Sequence, residues 1–256
     1  MNKILAIATN TAREAIRNRI LYSILFFAFF VVLVASLFGA ASIGDQMKYI
    51  KDFSLMSISL FGVIIAVVLG VNMLNQELGR KTIFNILSKP VGRWEFITGK
   101  FFGLLGTLTL VVLLMGGTVI VFLSLLEGRF DVGLVFASVL ALTEIMVVIA
   151  VALFFSSMVV TPTLAGLFTV ATFIAGRSAD YLDYFIKEHY SGGVQAGARL
   201  LSWILPRLDR FNIADQVVYG ERIDLTYFFV LVLYAVAYSA ILLLLSIGLF
   251  SRREFT

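Results

Sequence analysis

Six long apolar runs divide this chain of 256 residues. An α-helix rises about 1.5 Å per residue, so crossing a bilayer core takes about 20 residues, and most of the runs have that length. Apolar residues make up 60% of the chain and charged residues 14%, whereas soluble domains have about half and about a quarter. The runs predict an all-α polytopic membrane protein with six transmembrane helices in a single domain over residues 1–256. The expected spans are Ile20–Ala41, Phe53–Leu74, Phe101–Leu126, Val132–Met158, Val160–Gly176 and Leu225–Phe250.

Lysine and arginine are concentrated before the first run, between the second and third runs, and in the C-terminal tail. The alternate short loops hold few of them. Cytoplasmic loops of membrane proteins carry an excess of these two residues. We therefore expect a multi-pass protein of the inner (cytoplasmic) membrane with both termini in the cytoplasm. Residues 75–100 would form a cytoplasmic segment, and residues 177–224 would form an extracytoplasmic loop.

Two regions outside the runs have the periodicity of amphipathic helices. Residues 1–19 place Leu5 and Ala12 on one face and Arg13 on the other, which predicts an elbow helix lying in the cytoplasmic interface. A plain extension of the first span would give a similar pattern. The loop 177–224 contains two aromatic and aliphatic stretches separated by the sequence SGGVQAG. It is expected to form short outer-loop helices.

Several kinds of catalytic chemistry lack their residues in this chain. There is no cysteine, the one histidine is His189 in the long loop, and no phosphate-binding loop motif occurs. Transition-metal clusters and an intramembrane serine–histidine hydrolase are therefore disfavoured. The positive charges are explained by membrane topology, so they do not indicate nucleic-acid binding. We expect no enzyme, and no catalytic, cofactor or metal site in this chain.

The segment from Asn75 to Lys100 is basic and lies between two apolar runs. Within it the periodicity predicts one short amphipathic helix, Thr82–Ser88, which Pro90 would end. A short helix parallel to the membrane could serve as a handle by which a cytoplasmic protein moves the two flanking spans. The alternative is a charged loop held only by anionic lipid.

The sequence QELGRKTIFNILSKPVGRWEFITGK in this segment resembles the signature of type-2 ABC exporter permeases. In that family an acidic residue and a glycine precede an aliphatic stretch with serine and proline, followed by an R-x-x-F-x-x-GK stretch. The chain resembles in particular the membrane subunit of the ABC transporter that matures the copper site of nitrous oxide reductase. The matching residues are Glu77, Gly79, Thr82, Leu87, Ser88, Pro90, Arg93, Phe96, Gly99 and Lys100.

The resemblance implies a permease subunit that forms a translocation path and works with a separate cytoplasmic ABC ATPase dimer. ATP and Mg²⁺ would be bound by that partner. Thr82–Ser88 would be the coupling helix, and the permease would pair with a second copy in the membrane lipid, as a homodimer or as a heterodimer with a related chain. The residues implied in ATPase coupling are Glu77, Gly79, Thr82, Ile83, Phe84, Leu87, Ser88, Pro90 and Arg93.

Two polar residues inside the predicted spans are further candidates. Glu144 is the acid that lies well within the fourth run, and a carboxylate there costs about 2.5–3.5 kcal/mol to insert. It could line a substrate path or the dimer interface, or it could make a structural hydrogen bond to another helix. Asn72, near the end of the second run, has the same candidate roles, and helix–helix hydrogen bonding is the simpler one.

Two other functions fit the same composition. An ATP-independent channel or carrier would also need membrane helices, although few polar residues line these spans and no inverted repeat is visible. A membrane anchor for a cytoplasmic partner would need no substrate. The substrate cannot be read from the sequence, but the scarcity of charge favours lipid-like, amphipathic or peptide cargo over small ions.

Overall fold

The computed structural model of the protein describes residues 3–40, 46–79, 92–159, 161–181, 184 and 204–252. Within these ranges the chain forms helices and no strand, which confirms the all-α prediction for the described part. The helices are α1 (Lys3–Ile16), α2 (Arg19–Ala40), α3 (Gln46–Gly79), α4 (Arg93–Glu127), α5 (Val132–Met158), α6 (Pro162–Arg177), α7 (Ala214–Tyr219) and α8 (Leu225–Arg252), with a 3₁₀ turn at Asp209–Phe211.

Among the described helices, α3, α4, α5 and α8 are long and apolar enough to cross a membrane. The pair α1 and α2, whose axes meet at a bend of 57°, makes a fifth candidate if it is one span. By contrast, α6 has 16 residues, fewer than the roughly 20 that a crossing needs. A multi-pass helical membrane protein is therefore confirmed, but the predicted count of six spans is not.

The helices that contain the second and third predicted spans extend beyond those spans. α3 begins at Gln46 rather than Phe53 and continues to Gly79, and α4 begins at Arg93 rather than Phe101. The charged residues that suggested helix ends lie inside the helices instead. Lys51, for example, lies inside α3. Its Nζ is 2.8 Å from Oε1 of Glu127, and because the charge is paired in this way the helix can contain it.

The bundle has two ends, which we name by their contents. The termini end holds α1, the last turn of α3, the first turn of α4 and the last turn of α8. The loop end is opposite, and it holds the first turns of α3, α5 and α8 together with α7. Contacts across each end, between α4 and α8 at the termini end and between α3 and α4 at the loop end, are consistent with this arrangement.

α5 is the central helix of the bundle. It contacts α3, α4, α6 and α8, and residues on every side of it are buried. A helix that is apolar around its whole circumference is stable only inside a bundle or a membrane. Near the termini end, the hydroxyls of Ser157 on α5 and Ser246 on α8 lie 2.9 Å apart and form a buried hydrogen bond. This polar contact adds to the apolar packing that holds α8 against α5.

α1 packs across the start of α4, where two glycines let the helices approach closely. A Cβ atom built at Gly99 would lie 2.7 Å from the Cβ of Ile7, and one built at Gly103 would lie 2.6 Å from the carbonyl oxygen of Ala8. These glycines follow the small-x-x-x-small pattern of close helix pairs. The opposite side of α1 exposes Leu5, whose side chain is 61% accessible. The first helix therefore packs on α4 and meets α2 at a bend, while an elbow helix lying in the membrane interface stays a prediction.

The long loop before α8 is helical at residues 179–181, within the first of its two predicted helices, and contains a further short helix near its end. Residues 185–203, which make up most of the two predicted amphipathic helices, lie outside the described residues. From residue 204 onwards the chain contains Pro206, the 3₁₀ turn and the short helix α7, which was not predicted. α7 packs on the loop ends of α3 and α5. Val217 of α7 lies 3.2 Å from the position that a Cβ would take at Gly133.

Replacing Gly103 by leucine should separate α1 from α4. The new side chain would overlap the backbone of Ala8, and such overpacking typically costs about 1–3 kcal/mol. Gly106→Leu, on the same helix, is the matched control because a Cβ there meets nothing within 4 Å. Thermal unfolding of the purified chain in detergent should show a lower midpoint for Gly103→Leu only. Equal midpoints for both variants would contradict the packing of α1 on α4.

Candidate functional site

A buried ion pair joins three helices at the middle of the bundle. Glu144 of α5 is 1% exposed and lies twelve residues from Val132 and fourteen from Met158, so it is about 20 Å from either end of its helix. Its Oε1 accepts a hydrogen bond of 2.6 Å from Nη1 of Arg177 on α6. Its Oε2 accepts one of 2.7 Å from the hydroxyl of Ser59 on α3.

The same three side chains close a triangle of hydrogen bonds. Nη1 of Arg177 also donates to the hydroxyl oxygen of Ser59 at 2.9 Å, and that hydroxyl in turn donates its proton to Oε2 of Glu144. Both carboxylate oxygens therefore have a donor inside the chain. A buried carboxylate needs such a set of partners, because its desolvation is only offset by good geometry and hydrogen bonding.

The short helix α6 carries Arg177 to this depth. α6 starts with Pro162 at its first position, close to the point where α5 ends, and Arg177 is its last residue. The fifteen residue steps between them rise about 22 Å, and Glu144 lies about 21 Å along α5 from Met158. α6 thus ends at the level of Glu144. A cation at the C-terminal end of a helix is also favoured by the helix dipole.

Arg177 is the residue of this site that the sequence analysis missed. The sequence placed it as the first residue of an extracytoplasmic loop, because an arginine after an apolar run is the usual sign of a membrane boundary. The structure places it inside the bundle, against an acid that the sequence analysis had singled out. Pairing between an arginine and an acid 33 residues apart is not a local pattern, although an uncompensated acid in a run does call for a cation somewhere.

Two cavities lie along the seam between α3 and α6. The first has a volume of about 230 Å³ and is lined by Arg177, Ser59 and apolar residues such as Phe173. The second has a volume of about 510 Å³, lies nearer the termini end, and includes Asn72 and Gly166 in its lining. Asn72 is thirteen residues from Ser59 on α3, or about 20 Å, so it does not meet Glu144. Asn72 lines the seam, whereas Glu144 lines neither cavity, so the two predicted polar residues form no common cluster.

At the termini end, Arg93 fastens the start of α4 to the end of α8. Its Nη1 donates to the carbonyl oxygens of Phe250 at 2.9 Å and Ser251 at 2.6 Å. These are carbonyls of a helix C-terminus, which an arginine can both hydrogen-bond and neutralise. The ring of Phe96 stacks on that of Phe250 with centroids 5.8 Å apart. Arg93, implied in ATPase coupling by the resemblance, is therefore engaged within the chain.

α1 is joined to the same end of α4 by charged pairs. Nζ of Lys3 lies 3.8 Å from Oε2 of Glu95. Lys100 is 1% exposed, and its Nζ lies 3.8 Å from Oε2 of Glu14. Glu95 also accepts a hydrogen bond of 2.7 Å from the backbone N–H of Gly92, which stabilises the first turn of α4. We call α1, the first turns of α4 and the last turn of α8 the termini frame.

Most of the other residues implied in ATPase coupling lie outside the part of the chain that the structure describes. Glu77 and Gly79 belong to the last turns of α3. Thr82, Ile83, Phe84, Leu87, Ser88 and Pro90 lie outside the described residues. The predicted helix Thr82–Ser88 therefore stays a prediction, and what the structure describes is the frame on its C-terminal side.

The loop end has a charged cluster of its own. Nζ of Lys51 lies 2.7 Å from Oδ2 of Asp131 and 2.8 Å from Oε1 of Glu127, which joins α3 to the turn between α4 and α5.

Another carboxyl group lies in the 3₁₀ turn before α7. Burial raises the pKa of Asp209, and the nearby carboxyl group of Asp180 raises that pKa further. Within the described ranges no three histidine, aspartate or glutamate side chains are arranged to hold a metal ion.

Comparison with known protein families gives a match over nearly the whole chain. The family described as ABC-2 family transporter protein matches residues 5–255, which is nearly the whole chain. No individual curated protein matches. The family match agrees with the resemblance to type-2 ABC permeases, and it does not single out the permeases of nitrous oxide reductase maturation.

The ion pair should respond unequally to loss of its two members. Arg177→Gln leaves Glu144 in a fully buried position without its cation, and breaking a buried pair in this way costs about 3–5 kcal/mol. Glu144→Gln should cost less, because the side chain of Arg177 is 29% exposed and keeps its hydrogen bond to Ser59. Unfolding of both variants in detergent, measured by circular dichroism, tests this order.

The double variant Glu144→Gln/Arg177→Gln is the control for this prediction. It should be more stable than the sum of the two single losses predicts, because neither charge is then left alone. Strictly additive losses would mean that the two side chains do not interact in the folded protein.

Proposed function

Because this chain belongs to the ABC-2 family of transporter proteins, we propose that it is the permease subunit of an ATP-binding cassette exporter coupled to a separate ATPase. The observation that carries the proposal is the family match over residues 5–255, which includes the segment between α3 and α4. The chain has no phosphate-binding loop of its own, so ATP and Mg²⁺ bind to the partner ATPase dimer.

The termini frame explains how work by an ATPase would reach the membrane helices. The segment of residues 80–91 leaves α3 and enters α4 at Gly92. Behind that point Arg93 holds α8, and Gly99 and Gly103 hold α1. A push on the segment therefore moves α4, α8 and α1 as one body. α3, on the other side of the segment, carries Ser59 and thus leads directly to the seam with α6.

The remaining parts of the proposal concern assembly and orientation. Two copies of the chain, or this chain and a related one, enclose the translocation path within the lipid. The termini end faces the cytoplasm of the cell and the loop end faces outward across the inner membrane, as the distribution of lysine and arginine supports. In that orientation Lys81 is accessible from the cytoplasm, and residues around Gly193 are accessible from outside.

Charging the apolar face of the predicted coupling helix should release the ATPase. Ile83, Phe84 and Leu87 follow the spacing by which an amphipathic helix enters a groove. In Phe84→Asp/Leu87→Asp, two carboxylates would have to enter that groove. We expect loss of the ATPase that copurifies with the tagged parent chain from its native membranes.

The matched control for this experiment makes the same change of net charge on the polar face, as Asn85→Asp/Lys89→Gln. It should keep the ATPase bound, and both variants should unfold at the temperature of the parent. Retention of the ATPase by Phe84→Asp/Leu87→Asp would refute docking through this helix. Absence of any copurifying ATPase from the parent would favour a carrier or an anchor.

The orientation can be tested because the chain contains no cysteine. Gly193→Cys should react with a membrane-impermeant maleimide added to spheroplasts, whereas Lys81→Cys should react only after the membrane is opened. The measurement is the mass shift of the purified chain. Labelling of both positions from the outside would contradict the proposed topology.

A further inference from the structure

The guanidinium group of Arg177 faces an otherwise apolar cavity at the middle of the bundle. Its side chain is 29% exposed, whereas its partner Glu144 is 1% exposed and lies behind it. The wall of the cavity includes Met56, Leu60 and Ile174, which are also open to the outside of this chain. A charged group at membrane depth that is open to a cavity is expected to mark a substrate pathway.

Arg177 keeps hydrogen-bonding capacity on the cavity side. Both bonds that it makes with the described residues, to Glu144 and to Ser59, leave from Nη1. A guanidinium group has five N–H donors, so those on Nη2 and Nε remain for a ligand. Ser178, next along the chain, adds a polar group to the lining. The arrangement is a fork of donors held in place by an acid, which suits a carboxylate or a phosphate group.

The apolar part of a ligand would have room along the same two helices. The second cavity, of about 510 Å³, lies on the seam toward the termini end and is lined by apolar residues such as Val67, Val71 and Leu167. It is a groove open to the surface of the chain, and its volume is within the range of ordinary ligand pockets. Gly166 lines it, and a Cβ at that position meets nothing within 4 Å, so the space beside it is open. Gly166 and Arg177 are eleven residues apart on α6, or about 17 Å.

From this geometry we infer that Arg177 binds the anionic head group of an amphipathic substrate whose hydrocarbon tail lies along the seam between α3 and α6. The inference rests on the proposed transport function and specifies the class of its substrate. Glu144 is then a positioning residue: it orients the guanidinium group without touching the ligand.

Hydrogen-bond acceptors decide between this ligand and a second copy of the chain as the occupant of the cavity. A second copy packed with the same seam against this one would present the same apolar wall. The exposed residues of that wall, Met56, Leu60 and Ile174, have no side-chain oxygen or nitrogen acceptor for the donors on Nη2 and Nε of Arg177. The head group of an anionic ligand supplies such an acceptor, and its tail covers the apolar wall.

The test measures binding of three probes to the purified chain in nanodiscs of phosphatidylcholine. Palmitate and hexadecyl phosphate carry an anionic group on the same tail, and methyl palmitate is the neutral counterpart. We expect both anions to bind at least about tenfold more tightly than the ester, because a charge-assisted bidentate contact is lost in the ester. Preference for one of the two anions identifies a carboxylate or a phosphate as the head group. Equal binding of all three probes overturns the inference.

Variants of the head-group site provide the second arm. Arg177→Gln should remove the preference for palmitate over the ester, and Arg177→Lys should keep part of it. Glu144→Gln keeps an oxygen that can accept from Nη1 of Arg177 and removes the neighbouring negative charge, so palmitate should bind as tightly as in the parent or more tightly. Glu144→Leu removes the acceptor as well, so it should weaken palmitate binding if Glu144 orients the guanidinium group. Weaker palmitate binding by Glu144→Gln than by Arg177→Gln would overturn the assigned roles. If Arg177→Gln does not fold, the comparison of probes on the parent and on Arg177→Lys still decides.

The tail site is tested by Gly166→Leu, with Gly117→Leu as the matched control. Both glycines face open space, but only Gly166 lines the cavity. Gly166→Leu should weaken palmitate binding at least about tenfold and leave octanoate, whose tail is too short to reach it, unchanged. Equal effects of the two leucines on palmitate would overturn the position of the tail.

A second copy as the occupant would show itself by cross-linking. If a second copy occupied the cavity, Ile174→Cys, in a chain without other cysteines, would cross-link between copies. We expect little cross-linked dimer with or without palmitate. Cross-linking in high yield that palmitate does not lower overturns the inference. The proposed function is judged separately, by ATPase copurification with the parent, so a failure of lipid binding leaves it standing.

Discussion

A carboxylate at the middle of a buried helix must find a cation or a set of donors, and this requirement organises the centre of the bundle. Glu144 cannot reach either end of α5, which lie about 20 Å away. Its partner therefore has to come to it, and α6 brings Arg177 there by ending halfway up the bundle. The length of α6 and the site of the break after it follow from one ion pair. Ser59 adds α3 to the same contact.

Charges at both ends of the bundle obey the same rule. Lys51 at the loop end and Lys100 at the termini end are both buried, and each lies near an acid of another helix. Arg93 is satisfied by helix carbonyls instead of an acid. In each case a polar group in apolar surroundings ties one helix to a neighbour that is distant in sequence. Apolar packing alone would allow these helices to slide, because lipid tails are as apolar as the helix surfaces.

Local sequence patterns were sufficient to predict the long helices and the break after α1. α5 and α8 follow their apolar runs closely, because such runs have few other stable structures in a membrane. The patterns failed where the outcome depended on distant partners. From the sequence, Lys51 would lie outside the second span, but in the structure it is inside α3 and paired with Glu127 and Asp131. In the same way, Arg177 would begin a loop, but in the structure it is paired with Glu144. The resemblance over residues 75–100 predicted the family, which the match confirms, while the coupling helix itself stays a prediction.

The position of the seam relative to the termini frame has a mechanical consequence. α3 and α6 line the seam, whereas α4, α8 and α1 form the frame, and α5 lies between the two groups. A displacement of the frame relative to α3 would shear α5 against α3, and Ser59 and Glu144 sit on those two helices. The bond between Ser59 and Glu144 joins two short side chains, so a shift of α5 against α3 by about one helix turn would break it. Arg177 would then lose its orienting acid, and any anion held by its free donors would lose a fixed site. Coupling and substrate release could thus share one hydrogen-bonded triangle, without a contact between the ATPase and the substrate.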